Sequence, residues 1–117
     1  MFGDIIKKDD FKNEKHVPTI ESPEKVKKDE SFSVEVQIGK EIAHPNTVEH
    51  HIEWMDLYVH YDGDPNTVHI GRYEFGPVVG EPKIKAEVKL PKSGTLLVMS
   101  HCNIHGLWEN SKKIVVE

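Results

Sequence analysis

Cysteine is nearly absent: Cys102 is the only one in 117 residues. A lone thiol cannot close an intramolecular disulfide, and it cannot furnish the four thiolates of a rubredoxin-type or iron–sulfur centre. A basic excess is missing as well. Lys and Arg number 15 against 20 Asp and Glu, a formal charge of -5, so no overall basic field exists to hold nucleic acid or an anionic membrane. Neither is expected as a partner. Long apolar runs are also lacking: Met1 to Asp10 carries no stretch long enough for a signal peptide, and nothing later approaches the roughly 20 residues of a membrane span. The expectation is a cytoplasmic protein. With no repeat, low-complexity tract or linker, residues 1–117 read as one domain, long enough to bury about two-thirds of its unfolded surface.

What the chain does have is alternation. Ser31-Phe32-Ser33-Val34-Glu35-Val36-Gln37-Ile38 and Lys83-Ile84-Lys85-Ala86-Glu87-Val88-Lys89-Leu90 switch between polar and apolar at every step, the mark of strands with one buried face. Less regular strands are predicted for His51–Tyr61, Thr67–Phe75, Thr95–Cys102 and Lys112–Val116, with another starting near Val26. Turn clusters at 62–66, Gly76-Pro77 and 91–94 separate them. About seven short strands at this spacing predict an all-β, immunoglobulin-like antiparallel β-sandwich. Phe2, Ile5, Ile6 and Phe11, at helical spacing, predict a short helical arm over residues 2–13.

Chemistry concentrates in the histidines. Cys102-Asn103-Ile104-His105 pairs a thiol with an imidazole just before Gly106, where the backbone can turn and aim both at one point. Taken alone, a cysteine at a strand end is more often a small buried hydrophobe. Upstream, however, His44-Pro45-Asn46-Thr47-Val48-Glu49-His50-His51 holds three histidines in a proline-broken loop, and Glu14-Lys15-His16 adds another. Loops on a rigid scaffold are where site residues tend to lie. Any one of these histidines alone would read as surface decoration; the set reads as ligands for iron, copper or zinc, the metals suited to mixed thiolate and imidazole donors. His50 and His51 are neighbours that point to opposite faces if strand-like, so one of them ligates. By the same alternation His101 turns away from the thiolate. His60 and His69 lack partner motifs and are assigned to the sheet surface.

Cys102 with His16, His44, His50 and His105 makes five donors, more than the four of tetrahedral zinc. Five donors leave one open position on an octahedral ion such as iron. Four neutral imidazoles and one thiolate around ferrous iron leave a net positive charge, to which Lys15 adds, and small anions would be drawn in.

The segments Glu14-Lys15-His16-Val17-Pro18, His44 to Ile52 and Cys102-Asn103-Ile104-His105-Gly106-Leu107-Trp108-Glu109 resemble the superoxide reductases, specifically the single-iron class also called neelaredoxins. The resemblance runs from about Phe11 to the C-terminus. It implies an immunoglobulin-like β-sandwich and one mononuclear iron, with His16, His44, His50 and His105 equatorial and Cys102 axial. It also implies that Glu14 takes the sixth position in the oxidised resting state and that Lys15 is the cation beside the open site. The implied reaction is one-electron reduction of superoxide to hydrogen peroxide, with re-reduction by rubredoxin or a similar small electron donor, in a homotetramer. The single cysteine excludes the second, rubredoxin-like iron of the two-iron class from these residues. A cupredoxin-type electron carrier is the competing reading, but blue copper uses two histidines, a cysteine and a weak axial methionine. No methionine follows His105. A structural zinc fits less well still, because the donors are too many.

Overall fold

The structure, a computed structural model, describes residues 1–9 and 16–117. Its elements are α1 (Phe2–Ile5), β1 (Thr19–Glu21), β2 (Lys25–Val26), β3 (Phe32–Gln37), β4 (Ile52–Tyr61), β5 (Val68–Glu74), β6 (Lys83–Val88), β7 (Gly94–Cys102) and β8 (Gly106–Val116). They form a three-stranded sheet in the order β1-β3-β6 and a five-stranded sheet in the order β2-β8-β7-β4-β5. Alternation in the chain becomes alternation in burial: Val34 and Val36 of β3 and Ala86 and Val88 of β6 turn inward, while Lys85 and Glu87 stay exposed. These residues meet Met55, Leu57 and Val59 of β4, Leu96 and Val98 of β7, and Ile114 of β8 in one core between the sheets. Among the described residues, no helix is long and apolar enough to cross a membrane.

The all-β sandwich is as expected, with eight strands among the described residues rather than about seven. The added one is β1, whose Ile20 packs opposite Val36 of β3; three residues are too few for a periodic pattern to register. β8 begins at Gly106, not Lys112, because Gly106 to Ile114 pair with Cys102 to Gly94 along the whole of β7. Its first half, Trp108-Glu109-Asn110-Ser111, has no apolar alternation, so pairing and not pattern makes it a strand. Two short contacts are parallel: Lys25 and Val26 lie beside Val115 and Val116, and Lys7 lies beside Trp108.

The helical arm is shorter than expected. Helix α1 ends at Ile5, and Lys7 runs extended beside β8, its N–H donating to Leu107 O at 3.2 Å and its carbonyl accepting from Glu109 N at 2.8 Å. A backbone hydrogen-bonded to a strand cannot also continue a helix. The remainder of that predicted arm, from residue 10 on, lies outside the described residues.

Within each sheet the register brings strand ends together. Thr19 opposes Gln37, so β1 begins where β3 ends. Ile52 and Gly106 both oppose Cys102, so β4 and β8 begin where β7 ends. The long loop from β3 to β4 therefore starts and finishes at this one end. It is steered at its start by Gly39, which has φ +78° and whose missing Cβ would sit 2.4 Å from His44 N. Only glycine meets both conditions. Gly39→Ala is therefore expected to lower unfolding stability by about 1–3 kcal/mol, measured by urea denaturation. An unchanged midpoint and slope would show that the loop takes another path.

Candidate metal centre

Cys102 ends β7 on its inward face, in line with Leu96, Val98 and Ser100, and is fully buried. The chain then turns through Asn103, Ile104 and His105, and Gly106, at φ +80°, starts it back along β8. The turn aims both donors inward: the His105 amide donates to Cys102 Sγ at 3.4 Å, and His105 Nδ1 stands 3.9 Å from the same sulfur. His50 comes from a second turn. Thr47 N donates to His50 O at 2.9 Å, and the Thr47 hydroxyl oxygen accepts from His50 N at 3.0 Å, closing a four-residue loop that presents the imidazole. The loop itself is moored by Asn46, which accepts from Val78 N at 2.9 Å and donates to Val78 O at 3.1 Å.

His44 is buried, with Nδ1 2.7 Å from Pro45 O and Nε2 3.6 Å from Cys102 Sγ. Donation from Nδ1–H fixes the tautomer and leaves the Nε2 lone pair facing the sulfur, the outer-shell arrangement that prepares a histidine to ligate. His16 is delivered by the segment leading into β1. Its ring lies nearly parallel to that of Trp108, 4.6 Å away with 14° between planes, and packs edge-on against His44 and His105. Trp108 has no exposed surface and carries the Lys7 ammonium 5.2 Å from its ring centre.

The donor atoms of His16, His50, Cys102 and His105 all lie within 4.8 Å of one another. Two ligands at right angles, each about 2.1 Å from a metal ion, stand roughly 3 Å apart. His16 Nε2 and His105 Nδ1 are separated by 3.1 Å. Two imidazole nitrogens that close share either a proton or a cation. The residues therefore fit a single transition-metal ion, with one thiolate and at least three imidazoles. His44 stands outside that four-atom group, yet its ring touches His50, with centres 4.7 Å apart, and its Nε2 reaches the thiol. It lines the same pocket and can supply a fifth donor. Cys102, His16 and His44 are buried, whereas His50 and His105 are half-buried, so approach from solvent is on the side of those two.

The other histidines stand elsewhere. His51 turns its Nδ1 to Thr47 O at 3.1 Å. His101 is hydrogen-bonded through Nδ1 to Glu53 at 2.6 Å and stacked on Trp54, on the far face of β7 from the thiol. His60 meets Thr67, and His69 meets the buried Asp56 beside Arg72. In that last cluster, burial and then the Asp56 carboxylate raise the Tyr58 hydroxyl above its ordinary pKa. Glu14 and Lys15 lie outside the described residues. Met55 is in the core, Met99 is on the face of β7 opposite Cys102, and Met1 is 97% exposed, so no axial methionine completes a blue-copper set from these strands.

Trp108, Thr47 and Gly39 support the site without having been singled out from the chain. Thr47, three residues before His50, carries a readable signal, since a threonine hydroxyl closing a turn is a local pattern. Trp108 carries none, because its contact with His16 joins the two ends of the chain.

Comparison with known proteins gives a consistent picture. A family model described as desulfoferrodoxin matches residues 8–111. A Thermotoga maritima protein is 55% identical over 127 residues, spanning 98% of this chain and 97% of its own. A superoxide reductase from Pyrococcus horikoshii is 44% identical, covering 97% and 99%. The solved structure of a superoxide reductase (neelaredoxin) from Ignicoccus hospitalis superposes with a TM-score of 0.93 at 45% identity, covering 100% of this chain and 99% of that one.

The paired histidines give a direct test of the donor set. His50→Ala is expected to weaken ferrous-ion binding by more than about tenfold, whereas His51→Ala leaves it within about twofold of the parent, in equilibrium competition with a chelator. Equal losses would mean that the wrong imidazole has been placed at the metal.

Proposed function

The chain belongs to the desulfoferrodoxin family, and from that premise we propose that it is a superoxide reductase that takes one electron from a mononuclear iron to convert superoxide to hydrogen peroxide. The observation that carries the reading is the convergence of one cysteine sulfur with several imidazoles on a single point at one end of the sandwich. His16, His50 and His105, with His44 as the fourth imidazole, and Cys102 would hold the iron, leaving one position for the anion. When bound, iron supplies the transferable electron and a Lewis-acid position for a small oxygen anion. The balance is one superoxide, one electron and two protons in, and one hydrogen peroxide out.

The residues divide the remaining work. The His105 amide, donating to Sγ, withdraws some charge from the thiolate and so tunes how strongly sulfur pushes electron density. The Trp108 face keeps the His16 ring at a fixed tilt and excludes water behind it. Lys15, by its place in Glu14-Lys15-His16, attracts the anion and passes a proton through water to the departing product. Glu14, by its place two residues before His16, would supply a carboxylate to close the site. The chain functions as a single domain, residues 1–117, in the cytoplasm and as a homotetramer, with rubredoxin or a similar small carrier returning the electron.

Cys102→Ser separates chemistry from architecture: superoxide-dependent turnover is expected to vanish while circular dichroism retains the β-sandwich signature. Turnover with iron still bound would remove the thiolate from the mechanism. Lys15→Ala is expected to slow the encounter with superoxide and to lose part of its ionic-strength dependence, because a cation steers the anion through a screened field. Glu14→Ala leaves that rate near the parent value but shifts the spectrum of the oxidised protein. Pulse radiolysis across salt concentrations reads both. A parent-like rate and salt slope for Lys15→Ala would leave attraction to the iron centre alone.

A further inference from the structure

We infer that Asn103 is the positioning residue that fixes His50 relative to Cys102. Its side-chain oxygen accepts from His51 N at 2.8 Å, its side-chain nitrogen donates to Glu49 O at 2.9 Å, and its backbone N–H donates to His51 O at 3.2 Å. Glu49 and His51 are the two neighbours of His50, and Asn103 is the neighbour of Cys102. The residue next to the thiolate thus brackets the residue that carries the imidazole, on both sides. Last in the β4–β7 ladder is the pair Ile52 and Cys102, so the bracket extends the sheet by one rung beyond its final strand pair and adds a side-chain rung above that.

Only an amide meets the requirement. One end must accept from an N–H while the other donates to a carbonyl, and both do so in a fixed plane. Aspartate serves turns as well as asparagine does and could still accept from His51 N, but its second oxygen would confront Glu49 O with no proton between them. Alanine would keep the backbone rung and leave both side-chain hydrogen bonds unmade. A role in turn formation and a role in positioning therefore predict opposite behaviour for Asn103→Asp.

The inference rests on the iron reading above, and its test keeps the two apart. Parent, Asn103→Ala and Asn103→Asp are loaded with ferrous iron, and release to a chelator is timed. The thiolate-to-ferric absorption band is recorded after oxidation. Both variants are expected to release iron about 10–100-fold faster than the parent, the range for lost outer-shell support, and to shift the band. Amide hydrogen exchange on the iron-free parent provides a measurement independent of metal and of variant folding: His51 N–H is expected to be protected relative to exposed loop amides, and to lose that protection in Asn103→Ala, whereas Asn103→Asp keeps the acceptor and the protection. An Asn103→Asp protein indistinguishable from the parent, or a His51 amide unprotected in the parent, would overturn the bracket. A parent that binds no iron, with its His51 amide still protected, would instead overturn the metal reading and leave the bracket standing.

Discussion

Everything at the functional end of this molecule depends on a fully buried sulfur that, as a metal ligand, would carry negative charge. Placing an unpaired anion in an apolar interior costs many kcal/mol, and Cys102 ends a strand whose inward neighbours are Leu96, Val98 and Ser100. The surroundings answer with one amide donor and a shell of imidazoles, but neutral donors alone do not balance a charge. A cation among those imidazoles does. In this light the histidine cluster is the condition under which the thiolate can exist at the edge of the core.

The sandwich supplies rigidity and the loops supply donors. Strand ends of both sheets meet at one pole: register sets the starts of β4 and β8 at the end of β7 and the start of β1 at the end of β3, and the contacts of the His16 ring with His44 and His105 join the two groups. From that pole the chain projects three separate segments, each braced by its own device: the stacked Trp108, from the far end of the chain, for His16, the Thr47 turn for His50, and the Gly106 turn for His105. Bracing each donor separately spreads the cost of ordering the site and lets a single face, that of His50 and His105, stay half-open to small molecules.

Much of this was legible in the chain, and the rest was hidden for identifiable reasons. The alternation at 31–38 and 83–90 marks β3 and β6 because each has one dry and one wet face. The first half of β8 gives no such sign; its Trp108 is buried behind His16 for reasons of site architecture, and Glu109 to Ser111 are strand only by pairing. The site motifs were legible because ligand chemistry restricts residue type and short spacing restricts direction, as in Cys102 to His105. His51 is excluded from the cluster for a different reason than strand alternation: β4 starts one residue later, and Thr47 O holds its ring aside. No spacing rule predicts that Asn103 reaches across to Glu49 and His51, because that contact exists only once β4 and β7 have paired.

The central claim is that this thiolate-supported centre reduces superoxide without oxidising any, and product stoichiometry tests it most directly. Iron-loaded protein supplied with an electron donor is exposed to a measured dose of superoxide, and peroxide and oxygen are quantified together. The account predicts one hydrogen peroxide for each superoxide consumed and no oxygen from the reaction. Half that yield of peroxide, with an equal amount of oxygen, would be dismutation and would contradict it.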